Sequence, residues 1–211
     1  GGKRYHQLMR TWKSLLFNIV FAGNILLLFF LLTEYLLVFP VWLQVAGRMH
    51  PLFLHFPIAM VVLVVAMEIL SGKERSPYSD GFLLLTSLTT VASALMGFIL
   101  SKEEGYDPGA VAWHKWSGSL LSLLLLGWYS ARNSIRAKKP ALFGASFLAL
   151  AVLLVTGHQG ASLTHGEDFL FAPAKKEVEK PAVALEDALV FDHVIKPILD
   201  AKCNNCHNER K

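Results

Sequence analysis

Close to the end of the chain, Cys203, Asn204, Asn205, Cys206 and His207 form the pattern C-x-x-C-H. Two thiols at this spacing can each add to a vinyl group of one porphyrin, and the adjacent imidazole then lies beneath the iron. The pattern is that of c-type haem attachment. These are the only 2 cysteines in 211 residues. A structural zinc site takes four ligands, typically two such pairs, and a redox C-x-x-C pair belongs in a βαβ context that this sequence lacks. Haem c is therefore the expected cofactor, bound through Cys203 and Cys206 with His207 on its iron. Such haem is attached outside the bacterial cytoplasm, so this end of the chain is expected in the periplasm. Met9, Met49, Met60, Met67 and Met96 all lie far upstream of it. The sixth iron ligand and the rest of the cytochrome domain are expected beyond Lys211.

A second set of chemically capable residues is the histidines. His50 and His55 fall in the stretch MHPLFLHFPIAM, His114 in AWHKWSG, and His158 and His165 in GHQGASLTHGEDFL. Each stretch borders an apolar segment. Ionisable groups at membrane depth are costly unless they have a task or a partner. A neutral imidazole supplies a nitrogen to haem iron, and two from different helices can hold one haem b between them. On an ideal helix His50 and His55 point about 140° apart, so they serve different partners. His55 and His158 are the expected axial pair of one haem b. His50 and His114 are expected as a second pair or as its hydrogen-bonding surround. Gly97 and Gly118 would allow close helix contact or porphyrin approach, while Gly157, Gly160 and Gly166 predict a loop after the last apolar segment. His165 with Glu167 and Asp168 is an alternative proton-accepting or non-haem metal site. Otherwise, interfacial histidines simply hydrogen-bond headgroups or loop carbonyls.

The elements that must carry these residues are apolar. Hydrophobic residues make up 54% of the chain and charged ones 17%, against roughly a quarter charged in soluble domains. The chain is an integral membrane protein, all-α, and the net charge of +4 does not point to nucleic acid. Five segments approach the roughly 20 residues that cross a bilayer: Leu15–Phe39, Phe53–Leu70, Phe82–Leu100, Trp116–Ala131 and Ala141–Thr156. The first is too long for a cleaved signal peptide. Trp42, Trp113, Trp116 and Trp128 are expected at the membrane interfaces, and Glu68 is expected to snorkel to the nearer surface.

Lys and Arg in short loops set the orientation. One set of loops carries Lys3, Arg4, Arg10, Lys13, Lys73, Arg75, Arg132, Arg136, Lys138 and Lys139, the other only Arg48, Lys102 and Lys115. The amino terminus is thus expected in the cytoplasm. Five crossings bring the carboxyl terminus to the periplasm, as haem c requires. The four-helix membrane domain covers residues 41–171, after an amino-terminal segment and first helix in 1–40. Residues 172–188 read as a semi-extended linker. Leu189, Val190, Val194, Ile195, Ile198 and Leu199 then recur at helical spacing, with Pro197 starting or kinking the helix. Residues 189–211 are the expected start of a cytochrome c domain.

At His50–Ala59 (HPLFLHFPIA) the sequence resembles a bacterial membrane-protein family marked by a His-Pro opening followed by His-Phe-Pro-Ile-Ala. That domain is similar to the four-helix unit of cytochrome b561 proteins. Val194–His207 (VIKPILDAKCNNCH) resembles the start of a planctomycete-type cytochrome c domain. The resemblance implies electron transfer. The expected function is inner-membrane electron transfer, from a donor such as quinol to a periplasmic redox partner or larger complex, through haem b and haem c. The competing expectation is a membrane anchor or assembly subunit of a respiratory or envelope complex, carrying haem c only. A third is a metal-dependent membrane enzyme at His165.

Overall fold

The computed structural model describes residues 2–70, 78–103, 105–166, 169–171, 174 and 189–204. Among them there are helices and connecting turns and no strand. In chain order they are α1 (Gly2–Leu32), α2 (Val41–Arg48), α3 (His50–Phe53), α4 (His55–Leu70), α5 (Ser79–Leu100), α6 (Pro108–Ala137), α7 (Lys139–His165) and α8 (Lys196–Lys202). A 3-10 turn, Glu34–Leu36, follows α1, and a π-helical stretch, Val190–Ile195, precedes α8.

The first apolar run stops being helical before its hydrophobicity ends. The Thr33 hydroxyl donates to Phe29 O at 2.7 Å, the 3-10 turn follows, and Pro40 lies extended ahead of α2. Proline cannot continue a helix inward but suits its start. The next span is bent. α2 and α3 together meet α4 at 45°, with Pro51 in the first turn of α3 and Pro57 in that of α4. α6 has a defined start: Pro108 opens it, and the Asp107 side chain accepts from Ala110 N–H at 2.8 Å. That cap fixes where His114 falls on the helix.

α4, α5, α6 and α7 close a ring of four: α4 packs on α5 and α7, and α6 on α5 and α7. α1 lies against α5 and α6. The core gathers Val61, Val64, Leu83, Leu84, Leu121 and Leu125 around Val20 of α1. Hydroxyls are also inside, among them Ser87, Thr90, Ser122 and Ser146, while Phe143, Phe147 and Leu154 of α7 face outward. Apolar outside and small polar inside is the pattern a lipid solvent selects. Three of these hydroxyls find partners within the bundle: Ser87 Oγ donates to Leu83 O at 2.9 Å, Thr90 Oγ1 donates to Thr86 O at 2.8 Å, and Ser122 Oγ donates to Asn24 Oδ1 at 2.9 Å, joining α6 to α1; Ser146 Oγ is buried with no partner among the described residues.

Among the described residues three helices are long and apolar enough to cross a membrane, Met9–Leu32 of α1, α5 and α7, and the bent α2–α4 segment makes a fourth when it is counted as one span. Five crossings were expected from the sequence. α6 has the length, 30 residues, but Ser117, Gly118, Ser119, Ser122 and Gly127 dilute its apolar run. Trp128 departs from expectation. It is 3% exposed and part of the core, because it lies one helical turn beyond Leu125 on the inward stripe of α6. Trp42, Trp113 and Trp116 are exposed.

Candidate functional site: a histidine pair at one end of the bundle

α3, the end of α5, the start of α6 and the end of α7 meet at one end of the bundle. His50, His55, His114, His158 and His165 all lie there. Two of the five are brought together. The rings of His50 and His114 lie with centres 6.0 Å apart and planes at 72°.

Each ring is held by the same device. His50 Nδ1 lies 2.9 Å from the backbone oxygen of Ser93 on α5, 43 residues along the chain. His114 Nδ1 lies 2.9 Å from that of Thr156 on α7, 42 residues along. A carbonyl only accepts, so in both rings Nδ1 carries the proton and donates it. In the neutral ring Nε2 is then the nitrogen with a free lone pair. One helical turn beyond each carbonyl stands a glycine. A Cβ on Gly97 would come within 2.9 Å of His50 Cε1, and one on Gly160 within 2.8 Å of His114 Cε1. Only glycine lets the rings lie this close to the neighbouring helix. His50 Nε2 is buried and has no hydrogen-bond partner among the described residues.

This geometry explains why α7 outruns the predicted loop. α7 continues through Gly157 and Gly160 to His165, and ends at Gly166 with φ +92°. Gly160 serves as a cradle for His114 rather than a helix breaker; Gly166, in a backbone conformation that side chains rarely adopt, is the terminator. With that stretch helical, His158 and His165 share a side of α7. Both reach the ring of Phe169, at 6.2 and 5.4 Å between centres.

The remaining candidates lie as follows. His55 is exposed, with Nδ1 3.3 Å from Leu52 O, and His50 and His55 do serve different partners, on either side of the break at Leu54. His158 and His165 are exposed; His165 Nδ1 is 2.7 Å from the Thr164 hydroxyl. Glu167 and Asp168 lie outside the described residues, as do Cys206, His207 and most of the 172–188 linker. Cys203 is a free thiol at the end of α8, its N–H donating to Leu199 O at 2.8 Å. Pro197 sits in the first turn of α8. Among the described residues no group of three or more His, Cys, Asp or Glu could hold a metal ion.

Charge is distributed in two clusters at opposite ends. Beside the histidines, Lys115 donates to Glu34 Oε1 at 2.6 Å, and Lys102 donates to the backbone oxygen of Glu34 at 3.0 Å. The turn after α1 is thus clamped to the chain just past α5 and to α6. At the far end Arg136 forks onto Glu68 and also binds Asp80, which accepts from Arg132 at 3.2 Å. Glu68 and Arg136 are almost fully covered, their side chains 7% and 3% exposed. Glu68 therefore meets a cation from α6 inside the protein, rather than snorkelling alone.

Sequence reasoning marked Gly97 as a site of close approach. It missed Gly160 in that role, the Ser93 and Thr156 carbonyls, and the Glu34 clamp. The signal was present: a histidine followed after 42 or 43 residues by Ser or Thr, then three residues and a glycine, occurs twice.

A family model described as "Predicted membrane protein (DUF2231)" matches residues 48–168. The matched stretch begins two residues before His50 and contains all five clustered histidines, and it leaves out α1, α8 and the attachment motif. No curated protein and no solved structure matches the chain.

Proposed function

We propose an electron-transfer role for this chain, which belongs to the DUF2231 family of predicted membrane proteins. In this reading it sits in a bacterial inner membrane with its amino terminus in the cytoplasm and its carboxyl terminus in the periplasm. Haem b is held at the histidine-bearing end, haem c is attached at Cys203 and Cys206 with His207 on the iron, and quinol is the donor to a periplasmic acceptor. The bundle resembles cytochrome b561-type units in this scheme, and residues 189–211 open a cytochrome c domain.

One observation carries the reading. Five histidines lie at the same end of the bundle, two of them in ring contact, and the chain leaves the bundle from that end toward C-x-x-C-H. Basic residues support the orientation: Arg132 and Arg136 are at the opposite end, where the cytoplasm is expected. α6 supports the fifth crossing. It leads from the histidine-bearing end, where α5 finishes, to the arginine-bearing end, where α7 starts, and it packs along both.

The residues present fit a haem. With Nδ1 turned to a carbonyl, each ring of the pair in its neutral form keeps the Nε2 lone pair, the donor that haem iron takes. When bound, haem supplies a one-electron carrier. The protein's part is to fix the imidazole tautomers through Ser93 and Thr156, to bury the rings and to exclude water. Quinol gives up two electrons and two protons on oxidation; at this end of the bundle the protons leave to the periplasm.

The test is a pyridine haemochrome spectrum of purified protein with acid-acetone extraction. Both a c-type band that resists extraction and an extractable b-type band are expected, with reduction of both by a quinol analogue. A c-type band alone would leave a haem c anchor and remove the membrane half of the reading.

A further inference from the structure

We infer that His50 and His114 together are the axial ligands of a single haem b, each through Nε2; this rests on the reading above that the bundle holds haem b. Four histidines compete for that role, and sequence reasoning favoured His55 with His158. The structure separates them on three grounds.

The first is position. His50 and His114 come from different helices and their ring centres are 6.0 Å apart. Metal–imidazole bonds of about 2.0 Å on opposite sides of one ion put ring centres roughly 6 Å apart. His55 and His158 are each exposed, and their contacts run to Leu52 O and to the Phe169 ring.

The second is the state of the nitrogens. Ligating histidines almost always donate their other N–H to a carbonyl or carboxylate, which fixes the tautomer and the ring orientation. Both rings of the pair do so, to Ser93 O and Thr156 O. An imidazole nitrogen buried without a partner is costly, and His50 Nε2 is in that position. A bond from Nε2 to iron removes the cost.

The third is the ligand count. A bare zinc ion in a structural site takes four protein ligands, and no third His, Cys, Asp or Glu joins the pair among the described residues. Haem iron has four nitrogens from its porphyrin and needs two more. Among the described residues the site offers two imidazoles, which matches the need of haem rather than the four ligands of a structural zinc site. Gly97 and Gly160 are positioning residues here, since each holds its ring against the neighbouring helix.

Full-length protein carrying His50→Ala, His114→Ala, His55→Ala or His158→Ala, expressed with haem precursor, discriminates the possibilities. Extractable haem b per protein should fall at least tenfold in the first two and stay within twofold of the parent in the others. The covalent c-type band and the size-exclusion profile report folding in the same samples. His50→Gly with added imidazole is expected to regain a low-spin b-type spectrum, which a misfolded variant would not do. Parent protein without haem b would overturn the functional reading itself. Haem b lost from the His55 and His158 variants, and kept by the other two, would overturn this ligand pair while leaving the function standing. Zinc or copper bound stoichiometrically in place of haem, and lost with His50, would also overturn it.

Discussion

His50 and His114 belong to different helices and rest on different neighbours, yet each donates Nδ1–H across 2.9 Å to a carbonyl one turn before a glycine. The pair is thus built from both halves of the four-helix ring. α3 and α5 supply one ring and its support, and α6 and α7 the other. Support of this kind fixes the orientation and the tautomer of both rings.

Gly160→Ala should lower stability, although alanine is the better helix former by about 1 kcal/mol in an exposed helix. Its Cβ would displace the His114 ring, which then loses the bond to Thr156 O, at a cost of about 1 kcal/mol. Thermal melting in detergent checks the sign: a lower midpoint is expected, and a raised one would show that the ring is not held there. Gly97→Ala should act likewise on His50.

Arg136→Ala leaves the Glu68 carboxylate covered without its cation and should cost about 3–5 kcal/mol. The double variant Glu68→Gln with Arg136→Gln should recover much of that loss. Denaturation of the two proteins in the same detergent gives the comparison, and equal midpoints would mean that the pair carries little.

Lys115→Ala frees the turn at Glu34 from α6. A local effect is expected: faster amide exchange over Thr33–Phe39, with a melting point changed by a few degrees at most. Uniformly faster exchange across α5 and α6 would show that the clamp supports the bundle as a whole.

Ser122→Ala removes the buried bond from α6 to Asn24 of α1. Interhelical hydrogen bonds in membranes average about 0.6 kcal/mol. A loss of that order is expected on unfolding, and Asn24→Ala combined with it should add less than its single effect, since the two share one bond.

Helices were legible wherever apolar length alone decides them, as in α5 and α7. The sequence also marked the end of the bundle at which the histidines gather, because each of the five borders an apolar run on the same side. What it did not carry was orientation around each helix. Trp128 looked interfacial by type, yet its angular position places it with Leu121 and Leu125 in the core. Glycine was ambiguous for a related reason. Gly160 and Gly166 look alike in one dimension, but the first faces an imidazole on α6 and the second ends α7 with a positive φ. The contact of His50 with α5 was hidden for the same reason: nothing in local spacing says that a turn broken at Leu54 aims His50 at Ser93.

The Glu68–Arg136 contact has a consequence for biogenesis. Its partners lie 68 residues apart, and α5 is made between them. A nascent hairpin of α4 and α5 enters the bilayer with an acid whose cation has not yet been synthesised. Arrival of α6 neutralises that acid and, in the same event, carries His114 up to His50 at the other end. One docking event therefore completes both ends of the bundle.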